Sequence, residues 1–187
     1  QRRFELMRNI GDNLSPAERR QYSDLIYNSA KRLSVLSSNI LELSRLEHGE
    51  VAVKKVNFSL DEQLRQALFV LQMDWQQKNI ELNLDLDEVH YYGSEELLMQ
   101  VWLNLLGNAI KFSNEGGNVS VILEKLPDAV AVTVQDEGIG MTPAAQRHIF
   151  DKFYQADTAH KTEGNGLGLA MVKRILELLE GDIEVES

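Results

Sequence analysis

The spacing of apolar and polar positions changes period several times along this chain. Tyr22, Ile26, Ser29, Leu33, Leu36, Ile40 and Leu43 recur in steps of four and three. That heptad seam predicts a long helix with one stripe for a partner helix. Ser15-Pro16-Ala17-Glu18 reads as its capping box and Gly49 as its stop. Phe4 to Asn9, ahead of the break "GDNLSP", read as the tail of an earlier helix, so the chain opens on what reads as a helical hairpin. A helix lying on its own domain is the plainer alternative.

Past Gly49 the period falls to two. "VAVKKVNF", "IELNLDL" and "VHYYG" are predicted strands, and "NVSVILEKL" with "AVAVTVQ" a hairpin across Pro127-Asp128. Longer helices are expected from a second capping box, Ser59-Leu60-Asp61-Glu62, to about Gln77, from Glu95 to Lys111, and from Leu167 to Leu179. "TPAAQRHIF" reads as a short helix and "DIEVE" as a closing strand. The predicted fold class is α+β: a two-layer α/β sandwich with a mixed sheet, preceded by a helical hairpin segment. The hairpin segment occupies 1–50 and the sandwich 51–187.

Charge and composition narrow the functions. A net charge of −10 argues against a nucleic-acid partner. An anionic ligand would have to be held by local backbone dipoles and a few cations. With no cysteine, disulfides and thiolate metal sites are excluded. The longest apolar run, "LLMQVWLNLLGNAI", is interrupted by Gln100, Asn104 and Asn108, so no membrane span is expected. Any membrane attachment would belong to segments of a parent protein outside this sequence, and a cytoplasmic location is expected.

Four stretches carry candidate chemistry. On the helix Glu95–Lys111, the residues Gln100, Asn104, Asn108 and Lys111 fall within about 80° of one another, with Gly107 on the same face. Leu98, Val101, Trp102, Leu105 and Ala109 form the opposite, core-facing arc. A solvated face usually carries Glu and Lys, whereas asparagine is a poor helix former. An amide oxygen suits Mg²⁺, which keeps waters and substrate phosphates as its other ligands. Lys111 could then meet a phosphate. In "VTVQDEGIGM", a strand runs into Asp136, followed by Gly138 and Gly140. A carboxylate there can accept from an exocyclic amino group such as that of adenine, or simply close an acidic turn. "IFDKFYQAD" reads as a hydrophobic anchor for a loop, with Lys152 adding one cation. Last, "GNGLGLA" sets Gly164, Gly166 and Gly168 against a helix start, whose free N–H groups and partial positive charge suit a phosphate. Its spacing is neither a dinucleotide-binding fingerprint nor a Walker A loop.

Taken in order, "NLLGNAIKF", "DEGIG", "FDKFYQ" and "GNGLGLA" resemble the N, G1, F and G2 boxes of sensor histidine kinases. "NSAKRLSVLSSNILELSRLEHGE" is similar to the second helix of that family's dimerisation and phosphotransfer hairpin. The resemblance spans nearly the whole chain. It implies a Bergerat-type ATP-binding sandwich behind a hairpin that forms a homodimer. It implies that Asn108 coordinates Mg²⁺ on the ATP phosphates, Asn104 faces the γ-phosphate, and Lys111 contacts phosphate. Phe112 would lie near the adenine and Asp136 would accept from its amino group, with Gly138 and Gly140 shaping that pocket. Gly164, Gly166 and Gly168, with Leu167 and Leu169 between and after them, would close over the phosphates, and Lys152 would join the cofactor-binding set. The partner implied is a response regulator receiver domain, whose aspartate takes the phosphoryl group from a histidine.

The sequence departs from that pattern at the acceptor. His48, His90, His148 and His160 all lack the flanking residues of the acceptor box, which is therefore expected upstream of Gln1. Another ATPase or serine kinase on the same fold, and a dimerising scaffold with a degenerate nucleotide site, are the competing functions. Asn104 argues against the ATPase, since an asparagine cannot take a proton from water. The intact Asn108, Lys111, Asp136 and glycines argue against the scaffold.

Overall fold

The computed structural model describes residues 15–155 and 164–187. The helix tail expected at Phe4–Asn9 lies outside them. The chain divides into two compact units, Gln1–Glu42 and Leu43–Ser187.

Helix α1 (Pro16–Glu47) starts on its expected capping box. Ser15 donates to Glu18 Oε2 through both its N–H and its hydroxyl, each at 2.8 Å, and the Glu18 N–H returns to Ser15 Oγ at 3.3 Å. Within the first unit the heptad positions other than half-buried Leu36 face solvent: Ile26 is 58% exposed and Leu33 67%. In the second unit, Leu43 and Leu46 on the last turn are buried. The helix stops as expected, with Gly49 at φ +68° and the Glu50 N–H bonded to Arg45 O at 3.0 Å.

The second unit runs β1 (Val56–Ser59), α2 (Leu60–Val70), α3 (Gln72–Gln77), β2 (Glu81–Leu86), β3 (His90–Gly93), α4 (Glu95–Phe112), β4 (Asn118–Lys125), β5 (Val130–Asp136), α5 (Pro143–Gln146) and α6 (Gly168–Leu178). β1 and β3 form an antiparallel pair. β2, β4 and β5 form a mixed sheet in that order, β2–β4 parallel and β4–β5 antiparallel. The mixed sheet follows from the connections. β4 and β5 join by a tight hairpin, whereas β2 and β4 are separated by β3 and α4, a crossover that allows parallel pairing. Strand β4 alternates as its sequence does, burying Val119, Val121 and Leu123. Helix α4 is central, touching α2, α6 and β5.

Four local expectations are corrected. Of "VAVKKVNF" only Val56 onward pairs; Val51 and Val53 pack on the core without a ladder. The helix expected to run unbroken to Gln77 breaks at Leu71, and the Trp75 indole donates back to Leu68 O at 3.0 Å across the break. The second capping box does not form, because the Ser59 hydroxyl donates to Asp61 Oδ1 at 2.7 Å instead of accepting from the helix. "DIEVE" is not a strand: Ile183 packs on the core, and the segment is tied through Ser187, whose Oγ accepts from the Met141 N–H at 2.7 Å.

Candidate functional site

Helix α4 begins at Ser94, whose hydroxyl accepts from the Leu97 N–H, with Glu95 and Glu96 in the first turn beside the positive end of the helix dipole. Leu98, Val101, Trp102 and Ala109 are buried as expected. Leu105 is half-buried against the core, while Leu97, Leu106 and Ile110 are fully buried, so the apolar arc is wider than the sequence suggested. A helix enclosed by α2, α6 and the sheet has more than one covered face. What remains is a half-buried row of Gln100, Asn104, Gly107, Asn108 and Lys111.

Each member of that row has a defined setting. The Asn104 amide donates to Gln100 O at 2.9 Å and turns Oδ1 toward Gly168, where a β-carbon would come within 2.5 Å of it. No hydrogen bond to the described residues occupies the Asn108 amide. The Lys111 ammonium lies 4.6 Å from the centre of the Phe112 ring, and a β-carbon on Gly164 would sit 2.8 Å from its Nζ. Burial pushes the Lys111 ammonium below the usual lysine range. The structure thus gathers Asn104, Lys111, Gly164 and Gly168 from the first and fourth stretches.

The second stretch meets the end of the same helix. Ser113 and Gly138 form an isolated antiparallel bridge. A side chain on Gly138 would collide with the Phe112 carbonyl, so only glycine allows this approach. The Gly138 N–H donates to Asp136 Oδ1 at 2.9 Å, which fixes the carboxylate at the exposed end of β5. Gly140, at φ +64°, turns the chain toward α5.

The third stretch is fastened differently from the expectation. Phe150 is half-buried, but Phe153 is 58% exposed and so is not a hydrophobic anchor. Backbone groups make the connection instead. The Phe153 N–H donates to Gly166 O at 2.8 Å, and Gln155 Nε2 donates to Gly164 O at 2.9 Å. Gly166 is at φ +66°, and a β-carbon there would lie 2.7 Å from the Phe153 and Tyr154 backbones. Beyond it Leu167 is fully buried and Leu169 half-buried at the start of α6. Lys152 forms an ion pair with Glu47.

Two of the histidines among the described residues make local bonds. His48 Nδ1 bonds Ser44 O at 2.7 Å, and His148 pairs with Asp151 at 2.7 Å. Two cations escaped the sequence reading. Arg174 Nε donates to Leu46 O at 3.2 Å, and Lys78 donates to three carbonyls at the end of α4. Neither lies in a motif, so nothing in the sequence distinguishes them from ordinary surface cations.

Three glycines packed on Asn104, on the half-buried Lys111 and on the end of the same helix, next to a strand-end aspartate, suit a phosphorylated ligand. The family model for histidine kinase-, DNA gyrase B- and HSP90-like ATPases matches residues 93–187. The chain belongs to that family. Among relatives, it is 34% identical to the heme sensor protein HssS of Staphylococcus saprophyticus, over 90% of this chain and 36% of that one. It is 36% identical to the circadian input-output histidine kinase CikA of Synechococcus elongatus, over 90% of this chain and 23% of that one. This chain therefore spans about a third or less of these relatives. Full-length ShkA in complex with AMPPNP superposes with a TM-score of 0.74 at 29% identity, over 89% of this chain and 35% of that one. Histidine kinase ThkA in complex with the response regulator TrrA shares the fold, with a TM-score of 0.74 at 22% identity over 95% of this chain and 50% of that one. Within this ATPase family, the sandwich and mixed sheet expected from the sequence are the observed architecture. No helix among the described residues is long and apolar enough to cross a membrane.

Proposed function

We propose that this chain is the ATP-binding catalytic core of a two-component sensor histidine kinase. The observation that carries the reading is the meeting of Asn104 and Lys111, on one helix, with Gly168 and Gly164, some sixty residues further on. Such a cleft offers an amide, an ammonium and a helix N-terminus to one polyphosphate.

In this reading Asp136 accepts from the adenine amino group, with Phe112, Gly138 and Gly140 around the base. Lys111 and the amides of 164–168 hold the phosphates, and Leu167 and Leu169 seat that loop on the core. Lys152 stays with Glu47 and acts on the nucleotide only from a distance. The donor set fits Mg²⁺. Asn108 supplies one hard oxygen, no cluster of carboxylates or histidines competes among the described residues, and the phosphates supply the rest. Magnesium would neutralise the charge developing on the transferred group.

The step itself breaks the bond between the γ-phosphorus and its bridging oxygen, releases ADP and forms a phosphorus–nitrogen bond to a histidine. That histidine belongs to an acceptor box outside this sequence, and a response regulator aspartate takes the group next. The exposed heptad stripe of α1 is the surface for a homodimer.

The test is incubation with γ-labelled ATP, with and without an added hairpin carrying the histidine box. Acid-labile label on the hairpin alone is expected. Label on this chain, or release of free phosphate with none on the hairpin, overturns the reading.

A further inference from the structure

The last four carbonyls of a helix have no partner within it, and this helix lacks the glycine that usually supplies one. Helix α4 ends at Ser113 in extended geometry, φ −59° and ψ 149°. The Ala109 carbonyl is met by the Ser113 N–H at 3.0 Å and its hydroxyl at 2.7 Å. The Phe112 carbonyl abuts Gly138. The remaining two are taken by one side chain from a distant part of the sequence. The Lys78 ammonium donates to Ile110 O at 3.0 Å and Lys111 O at 2.6 Å, and its third proton goes to Ser113 O at 2.9 Å. Its backbone is fixed too, since the Gly116 N–H donates to Lys78 O at 2.8 Å.

An ammonium has three donors, and all three are used on one short stretch of backbone. A cation at this end also opposes the negative pole of the helix. That stretch carries Lys111 and Phe112 on one side and the Ser113–Gly138 bridge on the other. We propose that Lys78 is a positioning residue for nucleotide binding: it locks the backbone that sets the Lys111 ammonium on the phosphate side and Gly138 with Asp136 on the base side. The inference rests on the kinase reading above and adds to it a residue outside every motif.

A merely structural lysine would affect stability and leave affinity alone. The experiment therefore compares Mg-ATP affinity of the full chain, by calorimetry well below the unfolding temperature, for wild type, Lys78→Met, Lys78→Arg and Leu123→Ala. Leu123 is a buried core residue paired with Val132, toward the opposite end of the β4–β5 ladder from Asp136. Lys78→Met is expected to weaken binding about tenfold through loss of positioning. Lys78→Arg, which keeps a cation and several donors, should recover most of it. Leu123→Ala should lower the unfolding temperature with affinity nearly unchanged. Amide exchange at Ser113 should quicken in Lys78→Met beyond what its loss of global stability explains, and in Leu123→Ala no more than that loss. If Lys78→Met does not fold, Lys78→Gln, with two donors and no charge, carries the comparison and should fall between. Wild-type affinity in the neutral variants overturns the role of Lys78 alone. A wild-type chain that binds no Mg-ATP overturns the kinase reading and this role together.

Discussion

Gly168 packs on Asn104 so closely that a single added methyl group would fall 2.5 Å from the amide oxygen. The contact joins the first turn of α6 to the middle of α4, the two elements that flank the proposed phosphates. Gly168→Ala should therefore push the Asn104 amide aside, a shift this flexible side-chain end makes at little cost to the fold, and the misplaced amide should weaken binding about tenfold. Alanine is the better helix former at that position, so the fold should hold. Calorimetric ATP titration beside a thermal melt checks this: affinity falls and the melting temperature does not.

Burial holds the Lys111 ammonium below its ordinary range, and a phosphate beside it would raise it again. Binding then takes up a proton between the depressed free value and the higher bound one. Affinity should be full at pH values below the free value and decline as pH rises through it. Lys111→Met should bind weakly, with no such alkaline decline. Titrations across a neutral-to-alkaline series test both profiles, and a decline that survives in Lys111→Met removes the assignment.

Asp136 is an acceptor only, and its Oδ1 already holds the Gly138 N–H. Asp136→Asn replaces one acceptor oxygen with a donor. Preference for ATP over GTP should shrink by about tenfold, the worth of a hydrogen bond to a charged group. Competition of the two nucleotides for one site measures it. Equal binding of ATP and GTP by the wild type would remove Asp136 from the base pocket.

Acid stability has a separate origin. Asp61 accepts from Ser59 Oγ at 2.7 Å and from Arg65 at 2.6 Å, and these bonds hold its carboxyl at about 2. The folded value is depressed, so its stabilisation is complete above the unfolded value near 4 and is lost as pH falls through 2. Asp61→Asn should cost about 1–2 kcal/mol at neutral pH and nothing at the acid end. Urea unfolding over an acid-to-neutral series would show the two curves converge.

Much of this was legible in the sequence because period and motif agree there. The hairpin β4–β5 and helix α4 follow directly from alternation in "NVSVILEKL" and from the Ser94 cap. The asparagine row was visible because helical geometry converts spacing into a face. Ser59 illustrates the converse. A serine followed by Glu62 satisfies the pattern of a cap, but a neighbouring aspartate competes for the same hydroxyl, and only the three-dimensional arrangement decides between them. Phe153 misled for a related reason: an aromatic residue in a polar loop suggests burial, whereas backbone bonds to Gly166 hold the loop and leave the ring outside. Lys78 was beyond reach altogether. Its three acceptors lie more than thirty residues away, and no local pattern encodes them.

The proposed nucleotide site draws on residues 104–112, 136–140 and 164–168, which has a consequence for synthesis. A ribosome delivers them in that order, and every strand found among the described residues has emerged by Asp136. Helix α6, which brings buried Met171, Val172 and Ile175 against α4, comes only later. Through that interval the nascent domain has an uncovered apolar flank and only half a ligand site. Nucleotide can stabilise only what binds it. Early folding of this domain on the ribosome must therefore rest on its own packing, and chaperones would find this flank most exposed just before helix α6 appears.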